Sequence, residues 1–565
     1  GPSRFGAQGT QGPYCASGPP PPDRRAFAAA TMETPSAPTL LDQPAAAEGV
    51  KPEALSPAPL PVAAEDTENA AAEAEPRPTA DPADQEPSYL MQALLCGISA
   101  LEGADTQLLG SSMKALQTDI GLKLTDISYM TMAQLVCTNL AAPFWGILAD
   151  RGVLNRRTIL LIGALGQGLV TILLAFVTDM VPMVFLRALN GILLAALRPI
   201  SNGIIADVTG ERKRGRVFGR VQAAWLLGVF VTTMAVVPMA SQEIGGVQGW
   251  RVAFVVVGSA SIGVSAFVAA VMEEPLRCKI EGVGETGCGA VAHEAHSLLQ
   301  FFRIPSFCVL LIQGIFGTIP WSVMGFATLF FQLTGISDHQ AAILSGAHTL
   351  AGAAGNILGG LVADALAFRY LLHGRPLSAQ ITVACGIPVI YMMFWGVPPG
   401  EGTFGMYFGL SIAFGLLGSW AQSGTNFPVL AHIVPAQART RVMAWECALE
   451  NSVANAIGPL VVSLLAERSF GYSFGDQLEA TFPEQGAARS RDIPSARALG
   501  KALATTICIP WALCFVAYSF LHWSYPRDAR LVEGCATAAQ VGRSPAVRTP
   551  PEETPGARRS PRRGR

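Results

Sequence analysis

Four ionisable side chains stand inside long apolar runs of this chain: Glu102 and Asp105 in LEGADTQLL, Arg187 in FLRALNG, and Arg198 beside Pro199. Glu102 and Asp105 are three residues apart, so a helix places them on one face. Burial disfavours a charged carboxylate and a neighbouring Arg favours it. A carboxyl balanced between the two effects can take up a proton and release it. Counting about 1.5 Å per residue along a helix, Arg187 lies closest in depth to Asp105. Three roles are open: proton coupling through Glu102 or Asp105 with Arg187, which we favour, a static ion pair that fixes two helices, and direct contact with a solute. Arg198 suits an anionic ligand. Glu446 and Glu450 are four apart, with Asn451 and Asn455 beyond. They read first as structural, answering Arg439 and Arg441, and second as the lining of an inner vestibule.

The elements that must hold these charges follow from composition. Half of the 565 residues are hydrophobic and only 14% are charged, against about 25% in an ordinary soluble domain. The middle of the chain, 88–525, holds 49 charged residues in 438, too few to cover a soluble surface of that size. A net charge of −2 without a basic domain argues against nucleic-acid binding. The cysteines form no CxxC pair and the seven His do not cluster into ligand spacing, so no metal or cofactor is expected. The expected class is an all-α integral membrane protein.

A helix needs about 20 apolar residues to cross the hydrocarbon core. Runs of that kind are found at 89–112, 127–148, 157–177, 182–206, 217–238, 251–272, 306–333, 340–366, 378–397, 404–430, 440–466 and 500–522. Twelve spans place both termini on one side. The Lys/Arg count of the loops makes that side the cytosol, although the long loop at 467–499, with Arg468, Arg489, Arg491 and Arg497, fits this less comfortably. Outside the spans, 33–87 carries twelve acidic and two basic residues and no aromatic. Residues 1–87 therefore read as a disordered acidic cytosolic tail rich in Ala and Pro, with no apolar run of signal-peptide kind. Residues 88–275 and 305–525 read as two six-helix bundles, 276–304 as the cytosolic loop joining them, and 526–565 as a disordered basic tail. That tail, with nine Arg, four acids and four Ser/Thr-Pro steps, is suited to phosphorylation and to anionic lipid.

The two bundles repeat one another. GILADRGVLNRR at 146–157 has an echo in GLVADALAFRYLLHGR at 360–375, each after the second span of its half. ERKRGRVFG at 211–219 has its counterpart in AQARTRVMAW at 436–445. Physically, Gly146 permits close helix approach. Asp150, and more weakly Asp364, can pair with a loop Arg in one state and release it in another. Gly146, Asp150, Arg151, Arg156, Arg157, Asp364, Arg439 and Arg441 are the expected latch between bundles. Gly352, Gly355, Gly359 and Gly360, with Gly405 and Gly409, read as close-packing faces.

GILADRGVLNRR, Arg187-Ala-Leu-Asn-Gly191 and the Gly249-Trp250-Arg251 step before Phe254 resemble the motifs of the major facilitator superfamily. The resemblance covers about 88–525. QGIFGTIPWSVMGF at 313–326, Asn-Phe-Pro at 426–428 and ERSFGY at 467–472 are similar to a little-characterised plant and protist branch, and more distantly to spinster-like transporters. The fifth span lacks the Gly-x-x-x-Gly-Pro run of drug antiporters, which weakens a drug-export reading.

The resemblance implies two pseudo-symmetric six-helix bundles around a central cavity. Its candidate lining is Gln107, Asn190, Arg198, Gln313, Trp321, Trp420, Gln422 and Asn426, with Ser423 beside them. It also implies a secondary active transporter of a small organic solute, working by alternating access with protons, in the bilayer and as a monomer. An uncoupled facilitator or a lysolipid- or sphingolipid-type exporter is the alternative within transport, and a receptor on the same fold the alternative outside it. An enzyme would need a nucleophile–base or metal set at membrane depth, and no GxxxxGK[ST] loop marks an ATP-driven pump.

Overall fold

The computed structural model describes residues 86–150, 152–272, 299–434, 439–473 and 485–541. The side chains of Asp150, Glu211, Arg212, Glu401, Thr440, Arg441, 485–492 and 533–541 are excepted. The expectations for residues 1–85, for most of the loop at 276–304, for Asp150, Arg151 and Arg441, and for 542–565 therefore lie outside the described residues.

Twelve long helices follow one another: α1 Tyr89–Asp119, α2 Leu124–Asp150, α3 Arg156–Leu174, α4 Met180–Val208, α5 Glu211–Met239 and α6 Gly249–Val271 in the first half. The second half holds α7 Pro305–Leu333, α8 Asp338–Arg369, α9 Gly374–Gly396, α10 Phe404–Ile433, α11 Arg439–Leu464 and α12 Gln485–Val541. Eleven of them contain segments long and apolar enough to span a bilayer. The other, α1, has the length of 31 residues but carries Glu102 and Asp105 within it. Large apolar side chains such as Phe176, Phe185 and Phe368 project outward, as lipid-facing residues do.

Local chemistry sets the ends and the breaks. Ser88 caps α1, its hydroxyl accepting the Met91 N–H at 3.2 Å. Ser337 and Gln340 form a reciprocal capping box at the start of α8. The helix α4 is interrupted at Ala195–Ala196, where Pro199 has no N–H to offer the Ala195 carbonyl. In α10 a π turn covers Gln422–Asn426. Pro428 cannot bond the Gly424 carbonyl one turn back, and that oxygen instead accepts Arg375 Nη1 at 2.8 Å. A two-residue hairpin, β1 Glu243–Ile244 with β2 Val247–Gln248, joins α5 to α6. Its turn uses Gly245 and Gly246 at φ 62° and 80°, the left-handed pair such hairpins require.

In the first half α1 packs on α5, α2 on α4, and α3 on α6; in the second, α7 packs on α11 and α12, and α8 on α10. The halves meet through α2–α11, α5–α8 and the ends of α1 and α7. Close approach relies on glycine: a Cβ on Gly228 would sit 1.9 Å from the Ala100 carbonyl oxygen of α1, and one on Gly191 would sit 2.3 Å from that of Gln134 on α2. Three polar ties join the halves on the face of the α1–α2, α7–α8 and α11–α12 connections. Lys114 pairs with Asp338 at 3.2 Å, Thr125 donates to Glu467 through both N–H and hydroxyl, and the Tyr472 hydroxyl donates to Gln117 at 2.8 Å.

Two expectations need correction. The last helix does not stop near 525, because Asp528 turns inward and accepts the Ser306 N–H at 2.9 Å, while Ala529 is fully buried. That contact fastens α12 to the start of α7, and the helix continues to Val541. Gly146 does not mediate a close helix contact, since a Cβ there meets nothing within 4 Å; the same holds at Gly360, Gly405 and Gly409, whereas Gly355 and Gly359 are tightly packed.

Candidate functional site

In the first half, Asp105 is fully buried at the junction of α1, α2, α3 and α4. Its Oδ1 accepts Thr171 Oγ1 at 2.7 Å, Gln167 Nε2 at 3.0 Å and Asn190 Nδ2 at 3.4 Å. Its Oδ2 accepts Gln134 Nε2 at 3.2 Å. Two cross-links close the network, Gln134 to Asn190 at 2.8 Å and Asn190 to Thr171 at 3.0 Å. Neutral donors thus solvate the carboxylate, which offsets part of its desolvation.

Arg187 is also fully buried, within electrostatic reach of Asp105. Its guanidinium lies over the Phe254 ring at 5.6 Å, and none of its three nitrogens has a hydrogen-bond partner among the described residues. This half therefore brings an acid and a base together without a direct bond. Asn190, expected on the cavity wall, is instead part of this core network, because the turn holding Arg187 puts both residues on the buried face of α4.

Glu102 takes a different partner. Arg198 Nε and Nη2 both lie 2.8 Å from Glu102 Oε1, and the guanidinium sits over Trp225 at 5.1 Å. The Arg198 side chain is 47% exposed and that of Glu102 only 11%, so the pair has one wet and one dry end. Arg187 and Arg198 are eleven residues apart on α4, about 16 Å in depth along a helix, which lets the two Arg serve different acids.

In the second half the first expectation for Glu446 and Glu450, pairing with Arg439, is not met. Glu446 and Glu450 are 1% and 2% exposed and lie within hydrogen-bonding reach of each other. Neither ion-pairs with Arg439 or with any other cation among the described residues, and Glu446 Oε1 and Glu450 Oε2 have no partner. Arg439 donates instead to the Val434 carbonyl at 3.3 Å. The acids point into the bundle, towards Gln422 of α10, and a Cβ on Gly314 of α7 would overlap Glu450. The Tyr518 hydroxyl donates to Asn426 at 2.8 Å, and Asn426 donates to Gln422 at 3.2 Å. With Cys447, the two acids form the one group of His, Cys, Asp or Glu atoms among the described residues close enough to hold a metal ion, all within 4.8 Å of one another.

Of the remaining cavity candidates, Gln107 and Gln422 are half-buried and Trp321 is exposed, stacked on Phe414 and His348. Gln313 and Trp420 are corrections, since both are buried in helix packing. Gln313 donates to the Leu310 carbonyl and accepts the Cys514 thiol, and Trp420 donates to the Leu416 carbonyl against Gly359. Among the described contacts of the latch residues, Arg156 pairs with Asp207, and Arg157 donates to the Ala269 carbonyl. Asp364 pairs with Arg375 at 2.9 Å, a tie inside the second half rather than across to the first. Its reason is the α8–α9 turn, which brings Arg375 back over the end of α8.

Residues 95–459 match the family model described as the Major Facilitator Superfamily. The chain belongs to that superfamily, and it is a multi-pass membrane protein. The multidrug resistance protein MdtG of Escherichia coli is 36% identical over 98 residues, which is 17% of this chain and 23% of that protein. The chain thus matches about a quarter of the length of these curated relatives. Among solved structures, a bacterial homologue of the human lysosomal transporter Spinster, inward-facing and unoccupied, superposes with a TM-score of 0.63. It is 18% identical, and the match covers 78% of this chain and 97% of that one. The D-xylose–proton symporter gives a TM-score of 0.56 at 17% identity, over 75% of this chain and 97% of the symporter. These likenesses show the fold.

Proposed function

We propose that this chain is a secondary active transporter of a small organic solute that works by alternating access and couples transport to protons. The observation that carries the reading is the fully buried Asp105 beside a fully buried Arg187 with no hydrogen bond of its own. An ionisable pair at membrane depth is costly, and one whose charges are near but unbonded can exchange partners as the cavity opens. In such a cycle Asp105 accepts a proton from one side and Arg187 is released towards its own surroundings. On opening to the other side, the proton leaves and the pair re-forms. Glu102 and Arg198, with a wet end on Arg198, suit the path by which that proton reaches the pair.

The ties at Lys114–Asp338, Thr125–Glu467 and Tyr472–Gln117 close the face away from the chain termini. Rocking the halves about the α2–α11 and α5–α8 contacts would break them. We place both termini in the cytosol on the loop Lys/Arg count, assign the bundles to 88–275 and 305–525, and take the working unit to be one chain. A second reading puts the coupling proton in the C-terminal half, and the unpaired acids Glu446 and Glu450 favour it.

Reconstituted vesicles separate these readings. A pH gradient should drive accumulation of a solute from a screened panel, and Asp105→Asn should abolish that accumulation while leaving solute exchange. Loss of coupling in Glu450→Gln alone would support the second reading. Equal transport with and without the gradient would support the uncoupled facilitator, and movement of lysolipid alone would support the exporter.

A further inference from the structure

On the face of the chain termini, His373 from the α8–α9 turn meets His522, Trp523, Pro526, Arg527, Arg530 and Leu531 of α12 around an open pocket of about 570 Å³. The position of His373 is built with some strain. Leu372 before it adopts φ 60°, a left-handed conformation unfavourable for a residue with a Cβ, and Gly374 after it packs so closely that a Cβ would sit 2.1 Å from the Leu366 carbonyl oxygen. The His373 and His522 rings stack with their Nδ1 atoms 3.2 Å apart. His522 is oriented from behind by Gln380, whose Oε1 lies 3.1 Å from its Nε2.

Among the described residues no acid pairs with the cations of this pocket. Arg527 and Arg530 are exposed, and neither forms an ion pair among the described residues; Arg527 lies over the Trp523 ring at 5.7 Å. The nearest acid on the helix, Asp528, is turned to the opposite side and spent on the Ser306 N–H. Trp523 and Leu531 are 64% and 61% exposed, so the same pocket has an apolar lip. It sits where α12 leaves the spanning segment Ile493–Val532.

Two guanidinium groups lining one concavity match the chemistry of a phosphate anion, which Arg binds through paired N–H donors. A tryptophan and a leucine at the mouth match the interfacial end of an acyl chain. We propose that this pocket binds the phosphate-bearing headgroup of an anionic phospholipid in the leaflet on the terminus side. The apolar lip is what favours a lipid over a free phosphate ion. The pocket lies outside the buried acid sites, so the proposal stands or falls independently of proton coupling.

The full chain in phosphatidylcholine nanodiscs tests it, by thermal unfolding and by lipid retained on extraction. Replacing part of the phosphatidylcholine with phosphatidic acid or phosphatidylinositol phosphate should raise the unfolding temperature and leave anionic lipid bound. Arg527→Gln with Arg530→Gln should weaken that retention roughly tenfold or more, while Arg468→Gln, on the other face, should not change it. Inorganic phosphate added to phosphatidylcholine discs should have little effect. Equal retention of neutral and anionic lipid by the wild-type protein would overturn the proposal without any variant. So would undiminished anionic selectivity in the double variant, or full stabilisation by inorganic phosphate alone.

Discussion

Asp105 and Glu450 are both buried carboxyls, in opposite halves of the transporter, with opposite surroundings. Asp105 receives four neutral donors from three helices and has a buried guanidinium within reach. Glu450 faces a second acid, and one of its oxygens has no partner. The first half has therefore gathered its polar side chains around one carboxyl. The second half holds two like groups side by side in a dry place. A pseudo-symmetric fold thus carries two chemically unequal acid sites.

This contrast can be broken by substitution. The largest effect is expected from Asp105→Ala, which leaves Arg187 buried without a counter-charge and strands four donors. A loss of about 3–5 kcal/mol is expected, read as a large fall in the unfolding temperature of the purified protein. Adding Arg187→Leu should recover part of that loss, and a double variant no better than Asp105→Ala would show that the two residues do not interact. Next is Gly191→Ala, which drives a methyl into the Gln134 backbone and pushes apart the helices that hold the network, at about 1–3 kcal/mol. Glu450→Gln should fall on the other side of zero or within about 1 kcal/mol of it, since removing a like-charged group from an apolar site is often neutral or stabilising. A loss as large as that of Asp105→Ala would mean the two sites are equivalent after all. The smallest effect belongs to Lys114→Gln. Its half-exposed pair with Asp338 is worth about 0.2–1 kcal/mol, enough to raise the accessibility of cysteines placed on that face while leaving the melting temperature nearly unchanged.

Much of this was legible in the residues. The spans follow from apolar length, and the breaks at Ala195 and Gln422–Asn426 follow from Pro199 and Pro428 once their missing N–H groups are counted. Glu102, Asp105 and Arg187 stand out because charge is rare at membrane depth. The partners of Asp105 were not legible. Gln134, Gln167 and Thr171 are ordinary polar residues in three separate helices, and only tertiary packing brings them to one carboxylate. The same limit applies to Glu446 and Glu450. Arg439 and Arg441 lie close by in sequence, but the helix turns the acids inward towards α7 and α10. The Arg198–Glu102 pair has the same cause, since the two residues lie 96 positions apart on separate helices and only packing brings them together.

The most direct test is proton movement itself. Vesicles containing the transporter and a pH-sensitive dye are exposed, one solute at a time, to a panel that counterflow has first narrowed to transported compounds. Wild-type protein should change the internal pH with its solute, Asp105→Asn should carry the solute with no pH change, and Arg198→Gln should slow the pH change while retaining it. Solute uptake by the wild-type protein with no accompanying pH change, or an undiminished pH change in Asp105→Asn, would contradict the assignment of coupling to the N-terminal half.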